Sequence, residues 1–271
     1  MVRIISSVSN PTIKRIKALY DKSSLRKSSG EFIVEGVREI LRAYQAKYVL
    51  RQLIFNPYIT SIESLVSIFG IEILEYDIIE VNDPIYRKLA YRENQEGLIA
   101  VFKEKSHGIA DLKMQTDSSL YLVVESSEKP GNIGAMLRTA EAAGVDAVLL
   151  ADIKTDLYNP NIIRSSVGAA FSTQICMAST EEIIAFLIQK NIKTYCAYLG
   201  DESQSYLSQD YQGNVAIIVG AEDDGLSIQW QHPNFQNIII PMYGKIDSLN
   251  VSVSAGILIF EALRQRKATL S

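Results

Sequence analysis

Two rhythms of apolar residues run along this chain, one of period three to four and one of short unbroken runs. Residues 9–20 follow the helical rhythm: Ile13, Ile16 and Leu19 form a stripe, Lys14, Arg15 and Lys17 lie between them, and Asn10-Pro11 supplies a start signal. Residues 21–30 are polar and read as a loop. Strand and helix patterns then alternate: Phe32-Ile33-Val34, a helix over 37–46, strand-like 48–55, a helix near 59–69, strand-like 71–74, a helix from about Pro84, and a strand over 97–102. Elements of that length in that order predict a small α/β/α layer domain over residues 1–103.

Residues 104–118 carry few large apolar side chains and read as a linker. Past them, apolar runs at 120–124, 147–150, 174–177, 193–198, 215–219 and 238–240 are separated by helical stretches such as 180–190. Continuous apolar strands signal burial on both faces, hence a mostly parallel sheet in a second α/β domain over 119–271. From Val251 a helix bearing Val253, Ile257, Leu258, Phe260 and Leu263 is apolar almost all round, which predicts deep burial.

Composition narrows the function classes. The 271 residues are 47% hydrophobic and 21% charged, ordinary for a water-soluble globular protein. No apolar segment follows a basic start, so no secretory signal is expected. The run over 251–263 is too short for a membrane span, so no membrane partner is expected. Cys176 and Cys196 lie far apart without a metal-binding spacing, which suits a reducing cytoplasm. With His107 and His232 as its two histidines, the chain offers neither a histidine-rich metal centre nor a catalytic triad, and no metal is expected. The net charge of −4 hides a split: residues 1–51 hold eleven Lys/Arg against four Asp/Glu, a local +7, which leaves −11 for the remainder. A basic end on an acidic chain fits a module that meets a polyanion, although a solvated charged face has the same pattern.

Three segments carry candidate chemistry. In Glu128-Lys-Pro-Gly-Asn-Ile-Gly-Ala-Met-Leu-Arg-Thr-Ala a turn leads from a strand into a helix. Asn132 suits an N-cap, Ile133, Met136, Leu137 and Ala140 form the core face, and Arg138 projects nearly opposite it. In Ile217-Ile-Val-Gly-Ala-Glu-Asp-Asp-Gly-Leu a buried strand ends at Gly220, where a missing Cβ lets a ligand approach, and Glu222 stands in the bend. In Ile238-Ile-Ile-Pro-Met-Tyr-Gly-Lys-Ile-Asp-Ser-Leu-Asn-Val a strand ends at Pro241, and Ser248 and Asn250 precede the last helix. Taken singly, each has a plainer reading: a surface arginine, a loop carboxylate, helix caps.

Together, and in this order, the three segments resemble the signatures of the SpoU/TrmH family of RNA 2′-O-ribose methyltransferases in the SPOUT superfamily. The resemblance implies a C-terminal trefoil-knotted SPOUT domain, a smaller N-terminal L30e-like domain that binds substrate, and a homodimer. It implies S-adenosylmethionine as cofactor, held by backbone groups of Gly220, Ile240 and Leu249. It implies a catalytic set of Asn132, Arg138, Glu222, Ser248 and Asn250, and methyl transfer to a ribose 2′-hydroxyl of structured RNA, ribosomal in preference to transfer RNA. Asn159-Pro160-Asn161 and Arg164-Ser165-Ser166 resemble an intermediate family segment, which gives Arg164 a role in positioning RNA. Ala221 and Asp223 around Glu222 depart from the family's commoner Gly-rich triplet. In the N-terminal half the likeness rests on Phe32-Ile33-Val34-Glu35-Gly36-Val37-Arg38-Glu39, and with the local charge it makes Lys14, Arg15, Arg26, Lys27 and Arg38 the expected phosphate contacts.

A guanidinium holds its proton across the working pH range. Arg138 therefore reads as a donor to phosphate and to a developing alkoxide in preference to a base. Two other readings stay open at this point: an RNA-binding protein whose C-terminal domain only dimerises, and a nucleotide-dependent oxidoreductase. The second predicts a G-x-G-x-x-G turn with an acid further on, which the chain does not supply.

Overall fold

The computed structural model describes residues 2–91, 96–114, 118–200, 202–221 and 224–268. Its first elements are β1 (Val2–Ile5), α1 (Pro11–Asp21), α2 (Ser23–Ser29), β2 (Glu31–Glu35), α3 (Val37–Gln45), β3 (Leu50–Phe55), α4 (Ile62–Phe69), β4 (Asp77–Val81), α5 (Asp83–Leu89) and β5 (Leu98–Lys103). There follow β6 (Leu120–Glu125), α6 (Pro130–Ala143), β7 (Ala147–Ala151), α7 (Pro160–Ser165), α8 (Ala169–Ser172), β8 (Ile175–Ala178), α9 (Thr180–Gln189) and β9 (Lys193–Ala197). Last come β10 (Gln204–Ser205), β11 (Val215–Val219), β12 (Phe235–Ile239) and α10 (Val251–Ala268).

The chain divides into two compact units, one of Met1–Lys105 with Asp156–Ser172 and one of Ser106–Thr155 with Thr173–Ser271. In the first, α1 starts as its Asn-Pro pair dictates: Asn10 Oδ1 accepts the Thr12 amide at 2.8 Å and Pro11 takes the first helical position. Its apolar stripe, Ile13, Ile16 and Leu19, is fully buried against Ile33, Ile54, Ile79 and Val101 of the sheet. That sheet has the order β1-β4-β3-β5-β2, with β5 antiparallel to both neighbours and the other pairs parallel.

Residues 21–30 are not the expected loop. They hold α2, closed by Gly30 in the left-handed region at φ +62. Residues 71–74, expected extended, lie in a 3₁₀ turn over Ile71–Glu75.

The segment 156–172 falls within the expected C-terminal domain by sequence, yet it packs with the first unit. Tyr158 stacks on Phe32 with ring centroids 4.1 Å apart, and Phe171 lies 5.8 Å from the same ring. Aromatic area of this size outweighs adjacency in sequence.

In the second unit the seven strands run β10-β12-β9-β11-β6-β7-β8, and every ladder among the described residues is parallel. Tyr121, Val123, Leu149, Ala216 and Ile218 line one buried face, with Ile183 and Leu187 of α9 against them. The C-terminal ends of β6 and β11 therefore open side by side, where α/β sheets bind ligands. The stretch read as a linker is pinned where it is described: His107 O accepts the Met177 amide and Gln174 Oε1 accepts the Lys113 amide.

Burial of α10 is one-sided. Ala255, Leu258, Ile259 and Ala262 are inaccessible, whereas Val253 and Phe260 are about half exposed, at 49% and 50%. No helix among the described residues is long and apolar enough to cross a membrane.

Candidate active site

Helix α6 follows the expected wheel. Ile133, Met136, Leu137 and Ala140 are buried, and Arg138 is exposed with no ion pair or hydrogen bond to any described residue. An arginine in that state keeps all five N–H donors clear of every described residue. Asn132 is not the N-cap. The helix begins at Pro130 after Lys129, so Asn132 stands at the third position, where its Oδ1 accepts from Asn250 Nδ2 at 3.2 Å.

Asn250 is the cap instead, for α10. Its carbonyl accepts the Val253 and Ser254 amides at 3.0 Å, and its Oδ1 accepts the Ser252 amide at 2.9 Å and the Ser252 hydroxyl at 2.6 Å. Those acceptor bonds fix which end of the amide is oxygen, so the other end must donate, and it donates to Asn132. The first and third sequence segments thus meet through one amide pair. Close packing of α10 on α6 continues at Gly256, where a Cβ would touch the Thr139 methyl at 3.7 Å.

Gly220 is buried at the end of β11, but the reason for glycine differs from the one expected. A Cβ there would lie 2.2 Å from the Gly225 carbonyl carbon, inside the tight turn in which Ala221 and Gly225 exchange backbone hydrogen bonds. The glycine closes the protein's own loop. Glu222 lies outside the described residues. Ile240 and Leu249 are half-buried and Ser248 is exposed, with the loop 241–249 between β12 and α10.

No peptide group of residues 241–249 hydrogen-bonds to another described residue. N–H and C=O groups without a described partner next to Asn250 are donors and acceptors of the kind an adenine ring and an amino-acid moiety use, and in that respect the residues fit S-adenosylmethionine. Among the described residues no cluster of His, Cys, Asp and Glu could hold a metal ion.

The sequence profile of the SpoU rRNA Methylase family matches residues 119–260. The chain belongs to that family. Residues 10–100 match an MRM3-like substrate binding domain. This methylase is 30% identical over 246 residues to the 23S rRNA (guanosine-2′-O-)-methyltransferase RlmB of Xanthomonas axonopodis, covering 88% of this chain and 93% of that one. It is 26% identical over 256 residues to the 23S rRNA (guanosine(2553)-2′-O)-methyltransferase RlmP of Bacillus subtilis, covering 94% and 97%. Among solved structures, a crystal structure of an RNA 2′-O ribose methyltransferase has a TM-score of 0.82 at 37% identity, covering 97% and 99% of the two chains. An AdoMet-bound rRNA methyltransferase from Sinorhizobium meliloti has a TM-score of 0.88 at 25% identity, covering 97% and 98%. The SPOUT-type fold and the smaller substrate-binding unit expected from the motifs are therefore those of the methylase.

Of the expected phosphate contacts, Lys14 and Lys27 are exposed and their ammonium groups bond to no described residue. Arg38 is exposed and gives one bond to the buried Glu39, while Arg15 is tied to Glu31 and Gln52. Arg26 does not fit that role. It is 4% exposed, paired with Asp156, and donates to the Leu19 and Tyr20 carbonyls at 2.6 and 3.0 Å. Its guanidinium holds the first unit together and has no face left for RNA.

One residue of the methylase's sheet end went unnoticed in the sequence. Glu125, buried at the end of β6, accepts the Ser227 amide at 2.8 Å, the Ser227 hydroxyl at 2.6 Å and the Thr180 hydroxyl at 3.3 Å. It ties the loop after β11 to β6. The legible signal was an acid closing an otherwise apolar strand.

Proposed function

We propose that this methylase transfers a methyl group from S-adenosylmethionine to a ribose 2′-hydroxyl of ribosomal RNA. The observation that carries this reading is the Asn250–Asn132 hydrogen bond, which joins the start of α10, beside the loop 241–249, to the helix that bears Arg138. The backbone of Gly220, Ile240 and Leu249 would hold the cofactor, which when bound supplies an electrophilic methyl on a positively charged sulfur. Asn132 and Asn250, locked to each other, orient the ribose, and Ser248 offers a further hydroxyl. Arg138 binds the neighbouring phosphate and stabilises the alkoxide that develops as the 2′-hydroxyl loses its proton, a fixed donor aimed where charge appears. Glu222 serves as a supporting carboxylate.

Lys14, Lys27, Arg15, Arg38 and Arg164 grip the RNA backbone, supplying affinity and register. The chain between β12 and α10 is threaded as the family's trefoil knot. Two copies associate through the half-exposed face of α10, where Val253 and Phe260 await cover, in the cytoplasm where the two buried thiols stay reduced. Light scattering at micromolar concentration should give a dimer, and a monomer would remove that part. Activity is tested by transfer of labelled methyl to unmodified 23S rRNA and tRNA transcripts. Incorporation into the ribosomal transcript alone is expected; incorporation into neither, or into tRNA alone, would overturn the reading.

A further inference from the structure

The first unit carries a small recess, open to solvent, lined by Tyr20, Glu35, Tyr91, Pro160, Ile163 and Arg164. Its most exposed aromatic wall is Tyr91, 49% accessible and held at both ends: its amide donates to Glu35 Oε2 at 2.9 Å and its hydroxyl to Asn161 Oδ1 at 3.3 Å. Glu35 is buried, and the same oxygen accepts the Tyr20 hydroxyl at 3.3 Å, so one carboxylate sets the position of both tyrosines. The two rings are nearly parallel, 14° apart in plane with centroids at 6.3 Å. Arg164 places its guanidinium carbon 5.4 Å from the Tyr91 centroid and makes no side-chain hydrogen bond or ion pair with any described residue. Lys17 Nζ lies 5.5 Å from the Tyr20 ring.

A surface tyrosine needs no explanation, but this one is unusual in three respects that point the same way. Its ring is immobilised, so stacking on it costs little side-chain entropy. It forms the wall of a concavity. It is flanked by a cation, Arg164, whose donors meet no described residue. An aromatic face bordered by a guanidinium matches a nucleotide, whose base stacks while its phosphate meets the cation.

We infer that Tyr91 stacks an unpaired base of the RNA substrate, with Arg164 on the adjoining phosphate. Single-stranded loops and bulges present such bases, whereas a base inside an A-form helix cannot reach a ring in a recess. The site thus selects a splayed nucleotide, and it is sequence-tolerant because every base has a π face. This assignment rests on the reading of the protein as an RNA methyltransferase and adds to it a stacking contact.

The test compares Tyr91→Leu, Tyr91→Phe and Arg164→Gln with the wild-type protein in binding unmodified 23S rRNA transcript across a salt series, with a urea melt run on each. Tyr91→Leu keeps apolar bulk without the ring and should weaken RNA binding by roughly 5- to 150-fold with an unchanged salt slope. Tyr91→Phe, which retains the ring, should bind within a few-fold of wild type. Arg164→Gln should lower the slope by about 0.7, one phosphate contact on a single strand. Unaltered urea melts show that the variants are folded. Equal RNA binding by wild type and Tyr91→Leu overturns the stacking site while leaving the methyltransferase reading intact. So does equal loss in Tyr91→Leu and Tyr91→Phe, which would make the hydroxyl the operative group. A wild-type protein that binds no RNA overturns both.

Discussion

The two units use their conspicuous arginines in opposite ways. In the first, Arg26 is buried at 4% exposure with Asp156 and two carbonyls as partners. In the second, Arg138 stands on the open face of α6 with all its donors unmet by described residues. Both sit on helices, and neither residue type nor local charge separates them. Burial does. A guanidinium sealed from water must be satisfied where it is and becomes part of the scaffold, whereas one left unpaired on a rigid helix is free for a ligand. Charge counts hide this difference. Residues 1–51 carry +7, but over 1–103 the balance is fifteen basic against twelve acidic residues, and one of the fifteen is Arg26.

Variants at the two positions should therefore fail differently. The largest effect is expected at Arg26. Arg26→Ala strands the Asp156 carboxylate and should lower the unfolding free energy by about 3–5 kcal/mol in urea melts, while Arg26→Met with Asp156→Leu should recover most of it. Next is Arg138→Ala, which should leave the melt unchanged and reduce kcat by about 10²- to 10³-fold, with S-adenosylmethionine affinity within a few-fold. Arg138→Lys should not restore the rate, because one ammonium cannot reproduce the planar fork. Parity of the two variants in either assay would erase the contrast.

Asn250 sharpens it further. Asn250→Ala should cost about 1 kcal/mol as a lost cap. Asn250→Asp keeps the capping oxygen but has no N–H for Asn132, so stability should return while methyl transfer stays down by about tenfold, roughly one hydrogen bond. If activity returns with stability, the amide pair is only a cap. The smallest effect concerns the thiols. Burial raises Cys176 to about 11 and Cys196 to about 12, so both stay protonated near pH 8. Neither should react with a thiol reagent at that pH until urea unfolds the protein.

The second unit was the more legible from sequence because parallel strands buried on both faces are written as unbroken apolar runs. Val215–Val219 and the core face of α6 could be read directly. What periodicity could not convey was which side of α10 stays open, since apolar residues fall almost all round its first turns and only the packing on α6 distinguishes Leu258 from Phe260. Nor could it assign 156–172 to the first unit, because that depends on Tyr158 meeting Phe32 across more than a hundred residues of chain. The amide pair of Asn132 and Asn250 was half visible. Each residue was singled out, but their contact and the identity of the true cap required coordinates. A consequence follows for dissection of the protein. A cut near residue 118 would take Tyr158 and Phe171 away from the unit they pack in, so single substitutions separate the two roles more cleanly than truncation.

The central claim is that the open guanidinium on α6, the helix that the Asn132–Asn250 pair joins to α10, serves methyl transfer to ribose. The most direct test incubates unmodified 23S rRNA transcript and S-adenosylmethionine with the wild-type protein or Arg138→Ala, then maps alkali-resistant linkages, which report 2′-O-methylation. The account predicts a new resistant linkage with the wild-type protein and none with the variant over the same period. A methyl group found on a base, or an equal yield from both proteins, would contradict it.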